Sequence, residues 1–225
     1  MLINIVFKSV DSKEFLKFKN QKIYKDRIEP VLQLCKNKKV LDIGCTGSDA
    51  FKGKIYDDKP PVHEQLNLVS QQCFGIDIFV EGINCLLDRG LKVAVASAED
   101  FDLPEKDFDV CVLGDVIEHV SNPGLVFDNA YKHLKFGGEI IVTTPNVFSL
   151  HLIIKKIFNL KVLLNVEHCT WFDPLLLSLL LNRSKFKMTE LFWTGSSDIF
   201  LLKYLISKRK SLHSTFGIIA KKETS

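Results

Sequence analysis

Short, nearly continuous apolar runs alternate along most of this chain with longer stretches in which apolar residues are spaced among polar ones. The short runs predict buried strands, and the spaced stretches predict amphipathic helices. Strands that alternate with helices predict a parallel sheet covered by helices. The segments predicted as strands are 39–43, 73–78, 92–97, 108–114 and 139–144. The segments predicted as helices are 12–36, 62–72, 81–90 and 122–134.

The regular alternation becomes looser in the last third of the chain. The pattern there predicts a helical or loop-like segment at 147–164, a leucine-rich helix from Asp173 to about Arg183, and two closing strands at 187–195 and 213–222. Neither a repeat nor a second domain is visible in the pattern, so we expect one domain.

The composition is that of an ordinary globular protein. The 225 residues are 46% hydrophobic and 25% charged, enough to bury a substantial core. The net charge of +3 is too small to indicate a dedicated nucleic-acid binder. The six cysteines include no CxxC pair, so neither a disulfide framework nor a zinc site is indicated. The opening MLINIVFK lacks the features of a signal peptide, and no apolar stretch reaches the ~18 residues of a membrane span. A cytoplasmic protein is expected.

A glycine turn follows the first of these strands, in the sequence VLDIGCTG at 40–47. A strand that ends in Asp42-x-Gly44 turns so tightly that backbone amides can approach a ligand, because glycine has no Cβ. Alone the motif is weak, since such turns also serve nicotinamide enzymes or tight packing. Asp77 ends the second strand, where its carboxylate could accept hydrogen bonds from both ribose hydroxyls of an adenosine ligand. A solvated turn aspartate is the alternative.

Further motifs follow the later strands in the same order. Phe101 and Leu103, after the third strand, could line an adenine. The other segments are SAED at 97–100, GDVIEH at 114–119, KFGG at 135–138 and TTPN at 143–146. Together, the order and spacing of these motifs resemble class I S-adenosylmethionine-dependent methyltransferases, especially the group that contains ubiquinone-biosynthesis O-methyltransferases.

The resemblance covers residues 38–146 well and the remaining chain to 222 more loosely. It implies an α/β fold with a Rossmann-like, seven-stranded, mostly parallel sheet, helices on both faces and an antiparallel last strand. It also divides the single domain, 1–225, into an N-terminal helical extension (1–37), a cofactor-binding core (38–146), and acceptor-side helices with closing strands (147–225).

The resemblance further implies which residues hold S-adenosylmethionine. The glycine turn would hold its methionine and ribose end, the end of the second strand its ribose, and the end of the third its adenine. The end of the fourth strand would lie below the sulfonium. In that order the residues are Asp42, Gly44, Cys45 and Thr46; Asp77 and Ile78; Ala98 and Glu99; and Gly114 and Asp115.

The chain departs from the family's usual pattern at several positions. Thr46 and Ser48 replace the later glycines of the turn, and Ser97 replaces the usual aspartate beside the adenine. The aspartates that end the first two strands are 35 residues apart (77 − 42), against ~20 in a compact dinucleotide unit. This excess predicts a loop at 48–61 before a relocated helix. The departures leave open a weakened affinity or a catalytically silent module.

Methyl transfer from a sulfonium depends on orientation, and a hydroxyl acceptor also needs a base or a metal. Asp115, Glu118 and His119 follow the fourth strand at helical spacing, and a distant His168 could complete a cluster. This pattern resembles magnesium-dependent small-RNA 2′-O-methyltransferases and related quinone O-methyltransferases. The resemblance implies a divalent metal such as magnesium on Asp115, Glu118, His119 and His168. Alternatively, His168, His119 or Glu118 is a catalytic base, or these residues are structural.

Two basic amphipathic segments, 147–164 and 198–210, bear on the acceptor. Such segments contact a membrane surface, line an apolar, anionic pocket or, more often, cover a core, which is the interpretation favoured here. In the family the acceptor pocket follows the fifth strand. The aromatic residues implied as its walls are Phe148, Trp171, Phe172 and Trp193.

The function predicted from these features is O-methylation of a small-molecule, glycan or lipid-linked acceptor. Neither Asn-Pro-Pro-Tyr nor Pro-Cys follows the fourth strand, which argues against exocyclic adenine and pyrimidine C5 methylation. Metal-dependent RNA 2′-O-methylation is the alternative reaction, although the dispersed basic residues argue against a nucleic-acid partner. The sequence is also compatible with a silent binding module and, less well, with a nicotinamide dehydrogenase. It does not indicate an oligomeric state.

Overall fold

The computed structural model describes residues 21–47, 60–160, 167–195 and 209–223. Its centre is a sheet whose strands are β1 (Lys22–Ile23), β2 (Lys39–Ile43), β3 (Gln72–Asp77), β4 (Val93–Val95), β5 (Phe108–Gly114), β6 (Leu134–Pro145), β7 (Phe186–Thr194) and β8 (Thr215–Lys222). The spatial order is β1-β7-β8-β6-β5-β2-β3-β4. Neighbours are parallel except around β8, which is antiparallel to β6 and β7. The predicted mostly parallel α/β sheet with an antiparallel last strand is confirmed.

Within the described residues the sheet has eight strands rather than the predicted seven. The additional strand, β1, pairs with β7 in a segment predicted to be helical. Both of its residues are exposed, so the sequence there shows no alternation of buried and exposed residues that would predict a strand. Tertiary contacts hold the segment: the backbone N of Tyr24 donates to Trp193 O, and Lys22 Nζ lies 2.7 Å from a carboxylate oxygen of Glu190. The extension at 1–37 is therefore not purely helical.

The helices of the described residues are α1 (Ile28–Cys35), α2 (Val62–Val69), α3 (Val80–Asp88), α4 (Pro123–His133), α5 (Leu150–Ile157) and α6 (Pro174–Arg183), with a 3₁₀ turn at Lys210–Leu212. At the start of α6, Asp173 Oδ1 accepts hydrogen bonds from the backbone N of Leu175 and Leu176. In the described part of the chain no helix has both the length and the hydropathy of a membrane span. Parts of four predicted segments lie outside the described residues, at 12–20, 48–59, 161–164 and 198–208.

Successive side chains of the central strands are buried on opposite faces of the sheet. On one face, Cys111 and Leu113 of β5 belong to the cluster that contains the buried apolar residues of α4 and α6. On the other face, Val110 and Val112 belong to the cluster that includes α1 and α2. Burial on both sides explains why the sequence of β5 is a continuous apolar run.

The direction of the strand order reverses at β2, which has β3 on one side and β5 on the other. At such a point the carboxyl ends of the strands border a crevice, where open α/β sheets bind ligands. Gly44 directly follows β2, while Asp77 and Gly114 end β3 and β5. Three of the predicted cofactor residues therefore lie together at this crevice.

Candidate functional site

The glycine turn after β2 is held tightly between its neighbours. Gly44 has a φ of +84°, and the backbone N atoms of Gly44 and Cys45 donate to Ile76 O at 2.8 and 3.2 Å. A Cβ at Gly44 would overlap Cγ2 of Val116, in the loop after β5. The turn therefore requires glycine both for its backbone conformation and for its close approach to that loop.

Asp77 lies beside this turn as an ordered, half-buried carboxylate. Its Oδ2 accepts hydrogen bonds from the backbone N and the Oγ1 of Thr46, at 3.1 and 2.7 Å. Its Oδ1 accepts a hydrogen bond from the backbone N of Phe79 at 3.0 Å. These three bonds hold an acidic side chain at the end of β3, unlike the freely solvated turn residue of the alternative interpretation.

The side chains of Asp42 and Cys45 point into the protein, and each residue is only 4% exposed. Asp42 Oδ2 lies 2.9 Å from Nδ1 of His63, a fully buried residue of α2. Cys45 belongs to a small apolar cluster with Ile83 and Val93. The Asp42 side chain therefore joins β2 to α2, and the Cys45 side chain packs in the core.

The residues predicted beside the adenine differ in burial and in hydrogen bonding. The Glu99 carboxylate accepts hydrogen bonds from the Asn122 side chain and the backbone N of Ser121, at 2.8 and 2.7 Å, which lowers the pKa of Glu99. Phe101 and Leu103 are core residues at 7% exposure each. Ala98 packs at the margin of that core. Ile78, which was predicted with Asp77 at the ribose, is 67% exposed at the rim of the crevice.

The loop after β5 brings three of the four predicted metal ligands together. Ligand atoms of Glu118, His119 and His168 all lie within 4.8 Å of one another. The two imidazoles are nearly perpendicular, with ring centroids 4.7 Å apart. The backbone N atoms of Cys169 and Thr170 donate to Glu118 O at 2.8 and 3.1 Å, which anchors the segment that carries His168.

Asp115 is the predicted ligand that stands apart from this group. Its φ is +55°, and its Oδ1 accepts a hydrogen bond from Thr143 Oγ1 at 2.9 Å. Its Oδ2 forms an ion pair with Arg27, which precedes α1. An N-terminal arginine thus reaches the carboxyl end of the sheet and contacts the acidic residue expected below the sulfonium.

Burial controls the charge of the three-residue cluster. Glu118 is 2% exposed, and burial, together with nearby Asp115, raises its pKa from 4.5 to about 7. Its Oε2 accepts a hydrogen bond from Thr144 Oγ1 at 3.0 Å, whereas Oε1 has no partner among the described residues. Burial and the adjacent His119 lower the pKa of His168. The neutral imidazole of His168 is therefore favoured at neutral pH.

We expect Glu118 to make the stability of the protein fall as the pH rises. Its folded-state pKa lies above its unfolded value of 4.5, so its stabilising contribution is complete below pH 4.5 and is lost as the pH rises through about 7. Glu118→Gln cannot ionise and should be more stable than the wild type above pH 7, by roughly 2–3 kcal/mol. Urea unfolding from pH 4.5 to 8 in EDTA measures this difference. Exposed Glu81→Gln is the control, and a pH-independent difference for Glu118→Gln would contradict the expectation.

Several contacts at the site do not follow from the sequence reasoning. Thr143 and Thr144 end a predicted strand, so the rule that ligands bind at strand carboxyl ends could have identified them. Arg27 and His63 carry no comparable signal, because each reaches its partner only through tertiary packing. Thr46 does stand out in the sequence, but as a missing glycine rather than as a partner of Asp77.

A second cavity, of about 560 Å³, lies at the same edge of the sheet. Two of the predicted aromatic walls, Phe148 and Trp193, line it, together with Leu175, Arg209 and Lys210. The other two predicted walls do not line this cavity. Phe172 is 7% exposed, and its backbone pairs with Asn146, directly after β6; Trp171 is 37% exposed.

Comparison with solved structures identifies the fold. A methyltransferase from Archaeoglobus fulgidus, described as S-adenosylmethionine-dependent, superposes with a TM-score of 0.61 at 20% identity over 87% of this chain and 91% of that one. The N-methyltransferase NodS from Bradyrhizobium japonicum, solved with S-adenosylhomocysteine, gives a TM-score of 0.58 at 14% identity over 88% and 86% of the two chains. The fold is therefore the one that these two methyltransferases share. A family model described as a methyltransferase domain matches residues 18–191, and the chain belongs to that family.

Curated relatives match only part of their own length. The chain is 30% identical over 123 residues to the uncharacterized protein MJ1123 of Methanocaldococcus jannaschii, covering 55% of this chain and 52% of that protein. It is 27% identical over 134 residues to the mitochondrial ubiquinone biosynthesis O-methyltransferase of Rattus norvegicus (55% and 35%). It is 29% identical over 116 residues to phosphoethanolamine N-methyltransferase 3 of Arabidopsis thaliana (50% and 22%). The chain thus spans about half, or less, of these proteins.

Proposed function

We propose that the chain binds S-adenosylmethionine in the crevice at the carboxyl ends of β2, β3 and β5 and transfers its methyl group to an acceptor oxygen. The main observation in support of S-adenosylmethionine binding is the Asp77 carboxylate, which hydrogen bonds hold beside the Gly44 turn at the point where the strand order reverses. Gly114, across the crevice, supports it, because a Cβ there would meet no atom of the described residues within 4 Å. The family membership supports the same cofactor.

The Glu118–His119–His168 cluster favours oxygen over nitrogen as the acceptor atom. The named relatives include both O- and N-methyltransferases, so they leave this choice open. A hydroxyl must lose its proton to become a good nucleophile, whereas a neutral amine already carries a free lone pair. His168 is half-buried and mostly neutral at neutral pH, which suits a proton acceptor.

The same cluster fits a divalent cation. One carboxylate and two imidazoles are a donor set for borderline ions such as manganese, and for magnesium with water as additional ligands. The unpartnered, buried Oε1 of Glu118 also suits a cation. We therefore propose Glu118, His119 and His168 as the ligands. With the cation bound, His168 holds the metal, and the cation takes the place of the proton acceptor in activating the hydroxyl. A bound cation would lower the pKa of an acceptor hydroxyl.

The second cavity supplies the proposed acceptor site. On adjacent strands, Phe216 is paired with Trp193 of the cavity wall on one side and with Thr144 on the other. Thr144, which donates a hydrogen bond to Glu118, therefore lies about 10 Å from Trp193 on the same face of the sheet. The aromatic walls and the cations of Arg209 and Lys210 favour a small acceptor with a ring and an anionic group. A glycan or lipid-linked acceptor with these two features also fits.

Methyl transfer from labelled S-adenosylmethionine to 3,4-dihydroxybenzoate tests this proposal. We expect O-methylation that increases with manganese or magnesium and that His168→Gln slows roughly 100-fold. His151→Gln, on the exposed side of α5, is the matched control and should leave the rate unchanged.

Other outcomes contradict specific parts of the proposal. Methylation of ethanolamine phosphate instead would indicate a nitrogen acceptor, and methylation of the 3′ end of a short RNA would indicate the RNA 2′-O reaction. Full activity in EDTA would exclude the metal. Binding of S-adenosylhomocysteine without transfer to any of the three probes would favour a silent module.

A further inference from the structure

The side chain of Thr46 occupies one oxygen of the carboxylate that is expected to bind the ribose. Its Oγ1 donates to Asp77 Oδ2 at 2.7 Å, and its backbone N donates to the same oxygen at 3.1 Å. The family usually has glycine at this position of the turn, and glycine has no hydroxyl to donate. The hydrogen-bonding capacity of Asp77 is therefore partly used by the chain itself.

Most of the hydrogen-bond acceptor positions on the Asp77 carboxylate are already used. An ionised carboxylate has about four acceptor positions, two on each oxygen. Both positions on Oδ2 are used by Thr46, and one position on Oδ1 is used by the backbone N of Phe79. Counted over the described residues, one position, on Oδ1, remains for a ligand. A ribose that presents two neighbouring hydroxyl groups would find an acceptor for only one of them.

Packing prevents Thr46 from turning away easily. Thr46 is 3% exposed, and its Cγ2 would lie 2.7 Å from a Cβ placed on Gly82 of α3. The methyl group thus fills the space that this glycine leaves free. A β-branched side chain has few accessible χ1 rotamers, and this contact restricts them further. Packing therefore holds Thr46 in the rotamer in which Oγ1 donates its hydrogen bond to Asp77.

We infer that Thr46 is a specificity-determining residue that makes Asp77 bind a single ribose hydroxyl of the cofactor. This inference rests on the proposed binding of S-adenosylmethionine. Loss of the hydroxyl that Oδ1 accepts should weaken binding by about tenfold or more, because the acceptor is charged. Loss of the other hydroxyl should change the affinity by less than about threefold.

Calorimetric titration of the full chain with three ligands tests the inference without any substitution. The ligands are S-adenosylhomocysteine and its 2′-deoxy and 3′-deoxy analogues. The expected result is one strongly weakened analogue and one nearly unchanged analogue. Thr46→Val removes the hydroxyl but retains the branched shape against Gly82 and the backbone bond, so it frees one position on Oδ2. In this variant both analogues should bind at least about tenfold more weakly than S-adenosylhomocysteine.

Thr46→Ser keeps the hydroxyl and is the matched control, which should retain the wild-type asymmetry. Equal weakening of both analogues in the wild type would overturn the inference, because a ribose hydroxyl would then displace Thr46. No weakening of either analogue would also overturn it, because Asp77 would not bind the ribose. If the folded wild type fails to bind S-adenosylhomocysteine itself, the proposed function fails and this inference falls with it.

Discussion

Replacing Asp77 with alanine is expected to weaken the binding of S-adenosylhomocysteine by roughly 100-fold while the chain remains folded. The substitution removes the carboxylate proposed to accept a ribose hydroxyl. It also removes the acceptor that fixes Thr46 and the backbone of Phe79 beside the crevice. Binding is therefore lost through both the missing contact and a less ordered turn. Calorimetric titration measures the affinity, and circular dichroism confirms the fold.

Asp88→Ala is the control for this prediction. Asp88 is an exposed carboxylate at the end of α3 and has no expected contact with the cofactor. Its removal should leave the dissociation constant unchanged. If Asp77→Ala binds S-adenosylhomocysteine as tightly as the wild type, the ribose does not lie at the end of β3.

Gly44→Ala is expected to produce the largest loss of stability, lowering the free energy of unfolding by roughly 3 kcal/mol. Alanine at a φ of +84° costs backbone strain, and its Cβ would overlap Val116 in the loop after β5. Relief of this overlap would move β2 and that loop apart, so cofactor affinity should fall as well. Urea unfolding monitored by circular dichroism gives the stability change.

Gly47→Ala separates the two causes. Gly47 also has a positive φ, +68°, but no atom of the described part of the chain lies within 4 Å of a Cβ placed there. Its replacement should therefore cost only the backbone strain, roughly 1 kcal/mol. Equal losses for the two variants would show that the close approach of Gly44 to Val116 does not contribute.

The parallel core was predictable because its signals are local. The apolar run of β5 indicates burial on both faces, and Gly44, Asp77 and Gly114 each mark the end of a strand. The rule that parallel strands expose their carboxyl ends at one edge then places these residues together. The edge strand β1 was not predictable, because it has only two exposed residues and forms through pairing with β7.

The hydrogen-bond and ion-pair partners of the site residues were less predictable than the places of those residues in the sheet. The order of motifs identified Asp42 and Asp115, but not that the first contacts buried His63 or that the second forms an ion pair with Arg27. These partners are separated from them by 21 and 88 residues, and no period or spacing connects them. Glu118 and His119 were grouped by their spacing after the fourth strand, with His168 as a distant member, and the structure brings ligand atoms of all three within 4.8 Å of one another.

The most direct test of the proposed cofactor site is titration of the full wild-type chain with S-adenosylhomocysteine and, in parallel, with NAD. We expect S-adenosylhomocysteine to bind at one site with a micromolar dissociation constant and NAD to produce no binding heat. The absence of S-adenosylhomocysteine binding by the folded chain, or a preference for NAD, would contradict the assignment of the crevice between β2, β3 and β5 to S-adenosylmethionine.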